Sequence, residues 1–212
     1  MSSRLRLWII AGIALLAAGL VYWRWPVRLG LDLKGGVHVV LEAQDTETVK
    51  VNDEVMARTI TVINRRVNGL GVSEAVAQRE GARRIIVELP GVTDQQEALR
   101  IIGRTAVLEF RDPEGEVVVS GADLKRAVAT TGQMGVGWVV DLEFTSEGAK
   151  KFADATRRLV GKPIAIYLDQ EEISAPVVEN VIPDGRAFIE GNFTSTEAKN
   201  LAMLLNSGAL PV

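Results

Sequence analysis

The chain has 212 residues, of which 47% are hydrophobic and 24% charged, and its formal net charge at neutral pH is −3. Without Arg4, Arg6 and Arg24 it keeps 21 basic residues against 27 acidic ones, so the part beyond the N-terminal segment is near −6. This balance argues against a nucleic-acid interface, which needs a basic patch. The sequence contains no cysteine, which excludes zinc fingers, thiol catalysis and disulfides but allows an extracytoplasmic location.

Residues 7–23 form an uncharged, hydrophobic segment between basic flanks. Trp8 lies at one end and Trp23 and Trp25 lie at the other, about 22 Å apart at the rise of an α-helix, which matches the aromatic belts of a short membrane span. A cleaved signal peptide is the alternative, but bulky residues follow where a peptidase needs small ones. We therefore predict that residues 1–28 are an uncleaved transmembrane anchor, with the N-terminus inside and the soluble part extracytoplasmic.

The segment Leu29-Gly-Leu-Asp-Leu-Lys-Gly-Gly36 joins this anchor to the soluble part. The adjacent Gly35 and Gly36 at the start of a strand predict positive φ angles or a close approach of another segment. Asp32 lies between two leucines, so its carboxylate is expected at a half-buried joint where it needs partners. Nucleotide binding is the weaker interpretation, because no phosphate-loop pattern is complete and a strand follows. We predict a structural and coupling motif made of Asp32, Leu33, Gly35 and Gly36.

The periodicity after residue 36 predicts the order strand, helix, strand, strand, helix, strand. A strand over residues 37–43 is followed by a long amphipathic helix over 48–68, near whose end Arg65 and Arg66 suit the helix dipole. The remaining elements are a hairpin of strands 73–79 and 83–89, a short helix capped by Thr93, and a strand over 106–111. This order is typical of a ferredoxin-like sandwich, an antiparallel sheet with both helices on one face.

The turn over residues 112–115 predicts a boundary, after which a second group of helices and strands begins. Its predicted elements are a helix starting at Ser120, a mobile loop over 130–137, a strand over 138–144, a helix ending at Gly161, a hairpin of strands 163–168 and 173–178, and a strand over 186–190. A last helix over 196–206 is expected to pack again with the first group.

The predicted fold class is therefore α+β, with an inserted subdomain. Residues 29–111 and 192–212 form a ferredoxin-like base, and residues 112–191 form a head subdomain. Because glycine and proline lie at both crossings between them, we predict that the two parts move about hinges. The candidate hinge residues are Phe110, Asp112 and Pro113 at the first crossing, and Gly191 and Asn192 at the second.

No catalytic or metal-binding pattern is found in the sequence. His38 is the only histidine, it lies in the middle of a strand, and no nucleophile motif accompanies it. Asp141 and Glu143 alternate on a strand and are interpreted as solvated, and residues 169–172 are interpreted as a charged hairpin tip. We expect no enzyme activity, no cofactor and no metal.

Seven segments spread through the chain resemble, in family order, the amino-terminal part of SecD, an accessory membrane subunit of the bacterial Sec protein-export machinery. They are Leu29-Gly-Leu-Asp-Leu-Lys-Gly-Gly36, Arg65-Arg-Val-Asn-Gly-Leu-Gly-Val-Ser73, Ile85-Ile-Val-Glu-Leu-Pro-Gly-Val92, Gly148-Ala-Lys-Lys-Phe152, Ile173-Ser-Ala-Pro-Val-Val178, Gly191-Asn-Phe-Thr194 and Leu204-Leu-Asn-Ser-Gly-Ala-Leu-Pro211. Together these segments are highly specific, whereas singly only the first and the last are persuasive.

The resemblance implies a first transmembrane helix in the bacterial inner membrane and a large periplasmic domain, with a ferredoxin-like base and an inserted head that contacts the emerging preprotein. It also implies assistance of translocation by the proton motive force, with SecF, the SecYEG channel and membrane lipid as partners. Members of this family have six spans, so this sequence is expected to be a fragment or an incomplete gene product that does not itself conduct protons.

The candidate preprotein contacts in the head are Met134, which lies in the loop over residues 132–137, and Trp138, which follows this loop. We expect the strands over 138–144 and 173–178 to offer free edges and shallow apolar pockets to an extended polypeptide. The head is therefore expected to bind extended, apolar polypeptide weakly and with little sequence preference.

Two other functions fit a ferredoxin-like domain on a membrane anchor, because this fold serves many functions. The first is a single-span, membrane-anchored adaptor or sensor that binds a small ligand or a partner. The second is a membrane-tethered enzyme, which the lone His38 and the missing nucleophile motif make the weaker alternative.

Overall fold

The computed structural model describes residues 3–24, 35–46, 49–72, 75–132 and 137–211. The helices in these ranges are α1 (Ser3–Arg24), α2 (Asp53–Gly69), α3 (Gln95–Gly103), α4 (Ser146–Arg158) and α5 (Ser195–Ser207). The strands are β1 (Gly36–Glu42), β2 (Val76–Glu80), β3 (Arg84–Pro90), β4 (Leu108–Arg111), β5 (Val117–Ser120), β6 (Leu124–Thr131), β7 (Trp138–Phe144), β8 (Ala165–Leu168), β9 (Glu171–Ser174) and β10 (Arg186–Phe193).

Helix α1 contains the N-terminal hydrophobic segment, and apolar side chains such as Ile10 and Leu16 are exposed on it. In the described ranges, no helix has both the length and the apolar character that crossing a membrane requires. The transmembrane span predicted over residues 7–23 is therefore not confirmed.

The first sheet, sheet A, is antiparallel and has the strand order β1-β3-β2. Val39 pairs with Val87, and Ala77 pairs with Val87 from the other side. Alternate residues of β1 and β3 are buried, and they face α2 and α3 on one side of the sheet. We call this group the N-terminal core, and its buried residues are Val37, Val39, Ala43, Met56, Ile63, Val67, Ile85, Val87, Leu89, Ala98, Ile102 and Leu210.

Strand β4 was predicted to complete the base, but it does not join sheet A. It lies in sheet B, whose order is β5-β4-β8-β9, with Phe110 opposite Val119 and Ile166. The periodicity of a strand identifies its buried face but not its neighbouring strand. The ferredoxin-like base is therefore not confirmed in the described residues.

Sheet C has the order β10-β7-β6, with Leu142 of the central strand opposite Ala187 and Ala127. Helix α5 packs on β6 and β7, and α4 packs on β5 and β7. Sheets B and C and these two helices enclose a C-terminal core, whose buried residues include Phe110, Leu142, Phe144, Phe152, Ile166, Ile189 and Leu201. The described structure is therefore mixed α/β with antiparallel sheets.

The helix predicted to start at Ser120 is a single 3-10 turn, Gly121–Asp123. The Ser120 Oγ accepts a hydrogen bond from the Ala122 amide, and the Asp123 carboxylate accepts one from the Ser120 amide. This capping box closes one turn, after which the chain continues as β6. The predicted helix does not continue beyond this turn, because the β-branched and alternating residues that follow it favour a strand.

The boundaries between the two cores differ from the predicted ones. β4 and α5 were assigned to the base, yet Phe110 and the buried face of α5 lie in the C-terminal core. After α5, Leu210 returns to the N-terminal core. The chain therefore passes between the cores at residues 104–107 and 208–210, instead of at residues 112 and 192.

Candidate functional site

A groove of about 630 Å³ opens between sheets B and C, where the segment after β9 runs beside β10. Val177 and Phe188 line it and are 57% and 50% exposed. Exposed apolar side chains that are grouped around a concave surface mark an interaction site, whereas isolated ones do not. The bottom of the groove is made of side chains of the C-terminal core, namely Phe110, Phe152, Ile164 and Ile166. We call this surface the apolar groove.

Three phenylalanines make the bottom of the apolar groove rigid. The ring of Phe110 lies edge-on to those of Phe144 and Phe152, with centroids 5.6 and 5.8 Å apart. The Phe144 and Phe152 centroids are 5.0 Å apart. Edge-to-face contacts at these distances stabilise aromatic clusters beyond their buried area. The bottom of the groove is therefore preformed.

The segment over residues 176–182 forms one wall of the apolar groove and is held in place by hydrogen bonds. Thr156, which is buried in α4, accepts a hydrogen bond from the Ile182 amide at 3.1 Å. Three backbone bonds of 2.8–3.0 Å tie the segment to the chain before β8: Val178 N to the Lys162 carbonyl, Ile164 N to the Pro176 carbonyl, and Gly161 N to the Val178 carbonyl. These bonds fix the width of the groove.

Strand β10 lies at the edge of sheet C and contributes to the groove. The Gly185 carbonyl accepts a hydrogen bond from the Phe144 amide at 2.9 Å, so this pair is hydrogen-bonded. Because such pairs alternate along an antiparallel ladder, the backbone groups of Phe188 point away from β7. An extended segment in the groove would meet an exposed ring and open backbone groups on the same residue, as β-augmentation requires.

Arg66 of α2 lies between the two cores and contacts both segments in which the chain passes from one core to the other, residues 104–107 and 208–210. Its side chain is completely buried. The guanidinium donates hydrogen bonds to five carbonyls, those of Ile101 (3.3 Å), Ile102 (2.9 Å), Arg104, Thr105 (3.4 Å) and Gly208 (3.1 Å). The carbonyls of Ile101 and Ile102 lie in the last turn of α3, and the other three follow the ends of α3 and α5, where backbone groups lack partners within the helix. Leu210 N also donates to the Thr105 carbonyl at 2.8 Å, which joins the two passages directly.

The guanidinium of Arg66 stays charged at neutral pH. Burial lowers its pKa to about 10, and the nearby Asp169 carboxylate acts against this shift. Asp169 lies at the tip of the β8–β9 hairpin and accepts hydrogen bonds from Thr105 Oγ1 at 2.7 Å and from the Val107 amide at 2.8 Å. The hairpin tip therefore docks on the first passage beside Arg66. We call Arg66, Asp169 and residues 104–107 and 208–210 the junction.

Three family models match the chain at different places. The SecD/SecF GG motif matches residues 26–47, the N-terminal P1 domain of protein translocase subunit SecDF matches residues 56–115, and the P1 head subdomain of SecDF matches residues 103–212. The last match alone covers more than half of the chain. The chain belongs to the SecD/SecDF family.

Individual relatives agree with this assignment. The protein translocase subunit SecD of Acidaminococcus fermentans is 52% identical over 186 residues, which are 88% of this chain and 44% of the relative. SecD of Dictyoglomus turgidum is 46% identical over 197 residues, which are 92% of this chain and 49% of the relative. The chain therefore spans about half the length of the curated relatives it matches.

A solved SecDF structure shares the fold. It is described as a membrane component that enhances protein export, and it is 37% identical to this chain with a TM-score of 0.74. The match covers 83% of this chain and 96% of the solved chain. The match to the family model of the P1 head subdomain begins at residue 103, close to the place where the chain passes from the N-terminal core to the C-terminal core.

The SecD/SecF GG motif includes Gly35 and Gly36, which have φ angles of 67° and 153°. These values confirm the backbone conformation predicted for the two glycines. The Gly35 carbonyl accepts a hydrogen bond from the Gly91 amide at 2.9 Å, so the start of β1 is bonded to the turn after β3. Asp32 and Leu33 lie outside the described residues, and the coupling role of the motif stays a prediction.

The predicted hinge residues of this SecD-family chain lie away from the junction. Phe110 is buried at the bottom of the apolar groove. Asp112 and Pro113 belong to the turn between β4 and β5, which are paired strands of one sheet. Gly191 and Asn192 lie in the bulged end of β10. One core connects to the other at the junction, and a hinge motion at the predicted positions stays a prediction.

The candidate preprotein contacts are not brought together in the apolar groove. Trp138 begins β7, the central strand of sheet C, so the free edge predicted for residues 138–144 is wrong. Its half-buried ring packs on the C-terminal core, 5.7 Å from the Lys199 ammonium group. Met134 lies outside the described residues. Strands β9 and β10 are the edge strands beside the groove.

The sequence analysis did not identify Arg66 as the centre of the junction or Phe188 as part of the apolar groove, although the sequence pattern around each residue indicates its position. Arg66 falls on the same helical stripe as Met56 and Ile63, which predicts burial more strongly than the helix dipole predicts exposure. Phe188 alternates with Ala187 and Ile189, so a large aromatic side chain stands on the solvent side of its strand. Both are exceptions to the local pattern, and such exceptions mark functional sites.

Proposed function

We propose that this chain is the part of a Sec translocase accessory subunit that binds translocating polypeptide, and that it does so in the apolar groove on the extracytoplasmic side of the membrane. Membership of the SecD/SecDF family supports the translocase role. The single observation that carries the binding role is Phe188, an exposed ring on an edge strand beside a preformed apolar cavity.

The chemistry of the groove suits a segment without fixed sequence. Backbone hydrogen bonds to β10 are the same for any extended chain, and the apolar lining accepts any aliphatic or aromatic side chain. Burying two or three such side chains contributes roughly 3–9 kcal/mol, whereas association costs roughly 4–15 kcal/mol. The net affinity is therefore weak, as release of a moving polypeptide requires.

The other functional assignments concern the larger assembly. In this proposal SecF, the SecYEG channel and membrane lipid are the partners, and the proton motive force acts through that assembly. This chain supplies the polypeptide contact and no enzyme activity. The hydrogen bonds of Arg66 at the junction fix the position of the apolar groove relative to the N-terminal core.

The proposal is tested by binding of an unfolded protein to the full 212-residue chain in a neutral detergent. The probe is a secretory protein kept unfolded by reduction and carboxymethylation of its cysteines, and the folded form of the same protein is the reference. We expect fluorescence anisotropy to detect binding of the unfolded form at micromolar concentrations, with little binding of the folded form.

A matched pair of variants locates the site. Phe188→Asp should weaken binding about tenfold or more, because it removes a buried aromatic contact and places a charge in the groove. Val160→Asp is the control, since Val160 is 50% exposed like Phe188 but does not line the groove. Equal losses in both variants, or equal binding of the folded protein, would contradict the proposal.

A further inference from the structure

A second, shallower groove of about 540 Å³ lies along β6, at the edge of sheet C opposite to β10. One side is formed by residues 126–129 of β6, and the other by Met203 and Asn206 of α5. Arg65 at the end of α2 and Lys199 of α5 also line it. This groove is separate from the apolar groove and shares no lining residue with it.

The side chain of Asn206 shows which backbone groups of β6 are open. Its Oδ1 accepts a hydrogen bond from the Ala127 amide at 2.8 Å, and its Nδ2 donates one to the Ala127 carbonyl at 2.7 Å. Both backbone groups of Ala127 therefore point away from β7. By the alternation of an antiparallel ladder, the N–H and C=O of Ala129 and Thr131 point to the same edge. Asn206 thus occupies one position on this edge as a partner strand would.

Helix α5 runs beside this edge. Lys199, Met203 and Asn206 follow each other at spacings of four and three residues, so they share one face of the helix. Lys199 lies 5.7 Å from the Trp138 ring, and Trp138 pairs with Thr131. The groove follows residues 126–129 of β6 on one side and runs from Asn206 back to Lys199 along α5 on the other. Each path is about 10 Å long, which leaves room for a short extended segment.

The groove carries positive charge in an acidic chain. Arg65, Arg126 and Lys199 are exposed and line it. Among the described residues, none of these three side chains has a carboxylate oxygen within 4 Å of its charged nitrogens. The net charge of the whole chain is −3, so this cluster is opposite in sign to the molecule that bears it. Complementarity therefore favours an anionic occupant.

We propose that this groove binds an extended, carboxylate-rich segment of a partner protein, which adds to β6 next to Asn206 and pairs with Arg65, Arg126 and Lys199. A polypeptide is favoured over a lipid surface because the open N–H and C=O groups of Ala129 match a strand. Basic sites for anionic lipids usually contain four to eight Lys or Arg residues, and this groove has three. The proposal does not depend on the function of the apolar groove.

The test uses the full chain, labelled with ¹⁵N, in a neutral detergent. The probe is a blocked six-residue peptide that alternates glutamate and valine, and the reference peptide alternates lysine and valine. We expect the glutamate peptide to shift the amide resonances of residues 128–131 in a saturable manner at low salt. Sodium chloride at 0.5 M should weaken this binding, because exposed charge pairs are screened.

Two charge variants separate the groove from general electrostatics. Lys199→Glu and Arg126→Glu should each weaken binding of the glutamate peptide by about fivefold or more. Lys162→Glu makes the same charge change at an exposed lysine outside the groove and should leave the affinity unchanged.

A backbone variant tests strand addition itself. Ala129→Pro removes an N–H that points to the open edge, and an edge strand tolerates this change. The variant should bind the glutamate peptide about fivefold more weakly, while its amide spectrum remains that of a folded protein. Equal binding of the lysine peptide, or shifts confined to other residues, would overturn the proposal. Binding to vesicles that contain phosphatidylglycerol, with no binding of the glutamate peptide, would overturn it in favour of a membrane contact.

Discussion

Replacing the buried Arg66 by methionine should destabilise the protein strongly, and far more than the same replacement of its exposed neighbour Arg65. Methionine fills much of the same volume but donates no hydrogen bonds, so five carbonyls lose the bond from Arg66, although the Thr105 carbonyl keeps its bond from the Leu210 amide. Arg66 is completely buried, so solvent does not replace it. Each buried carbonyl that loses its bond from a charged donor costs about 1–3 kcal/mol, so the loss of two or three such bonds costs about 3–5 kcal/mol.

Urea denaturation followed by circular dichroism measures this loss. With a slope of about 2 kcal/mol per molar urea, a loss of about 3–5 kcal/mol moves the midpoint down by about 1.5–2.5 M. Hydrogen exchange gives a local measure, because the Leu210 amide bonds to the Thr105 carbonyl inside the junction. We expect its exchange to accelerate by about a hundredfold or more.

Arg65→Met is the matched control, since Arg65 is the neighbouring residue on the same helix and is exposed. Its effect should be within about 0.5 kcal/mol, as for most surface substitutions. If Arg66→Met shifted the midpoint no further than Arg65→Met, the junction would not be held by Arg66 and the reasoning would be refuted.

Three further substitutions test other parts of the fold. Gly36→Val places a branched side chain at a φ of 153° and should cost about 1–3 kcal/mol in thermal unfolding, whereas a neutral result would contradict the strain argument. Thr156→Val removes the acceptor of the Ile182 amide and should cost about 1–2 kcal/mol while weakening polypeptide binding; unchanged stability and binding would show that this bond does not hold the groove wall. For Asp123, burial raises the pKa, but hydrogen bonds from Lys151 and the Ser120 amide outweigh burial and lower it below 3.8. Its ionised form therefore contributes stability above pH 3.8 that is lost as the pH falls further, so wild type should exceed Asp123→Asn in melting temperature at pH 7 and the difference should shrink below about pH 3.8. A difference that did not depend on pH would contradict this.

Local patterns predicted most of the helices and hairpins. The apolar stripes located α2, α3, α4 and α5, and the turn at Asp169 located the β8–β9 hairpin. Two helix starts were wrong, because the N-cap of α3 is Asp94 instead of Thr93 and α2 begins at Asp53 instead of residue 48. These elements depend on interactions between residues close in sequence, which is why the sequence alone indicates them. The exception is the turn after Ser120, where one local signal was followed by another of opposite preference.

The assignment of elements to cores could not be predicted in the same way. β4 has the same alternation whether it pairs with β1 or with β8, and the choice depends on the contacts of Phe110 with distant phenylalanines. Likewise, the place of Arg66 becomes clear only when the ends of α3 and α5 meet in space. The apolar groove lies between two sheets, so no single segment of the sequence contains it.

The central claim is that the apolar groove contacts polypeptide during translocation, and site-specific crosslinking tests it most directly. A photoreactive amino acid is placed at position 188 in the groove or at position 160 outside it, and each protein is irradiated in membranes that hold a stalled secretory polypeptide. The account predicts a crosslink to the polypeptide from position 188, little from position 160, and loss of the crosslink once the polypeptide is released. Equal crosslinking from both positions, or none from position 188 while the polypeptide is in transit, would contradict it.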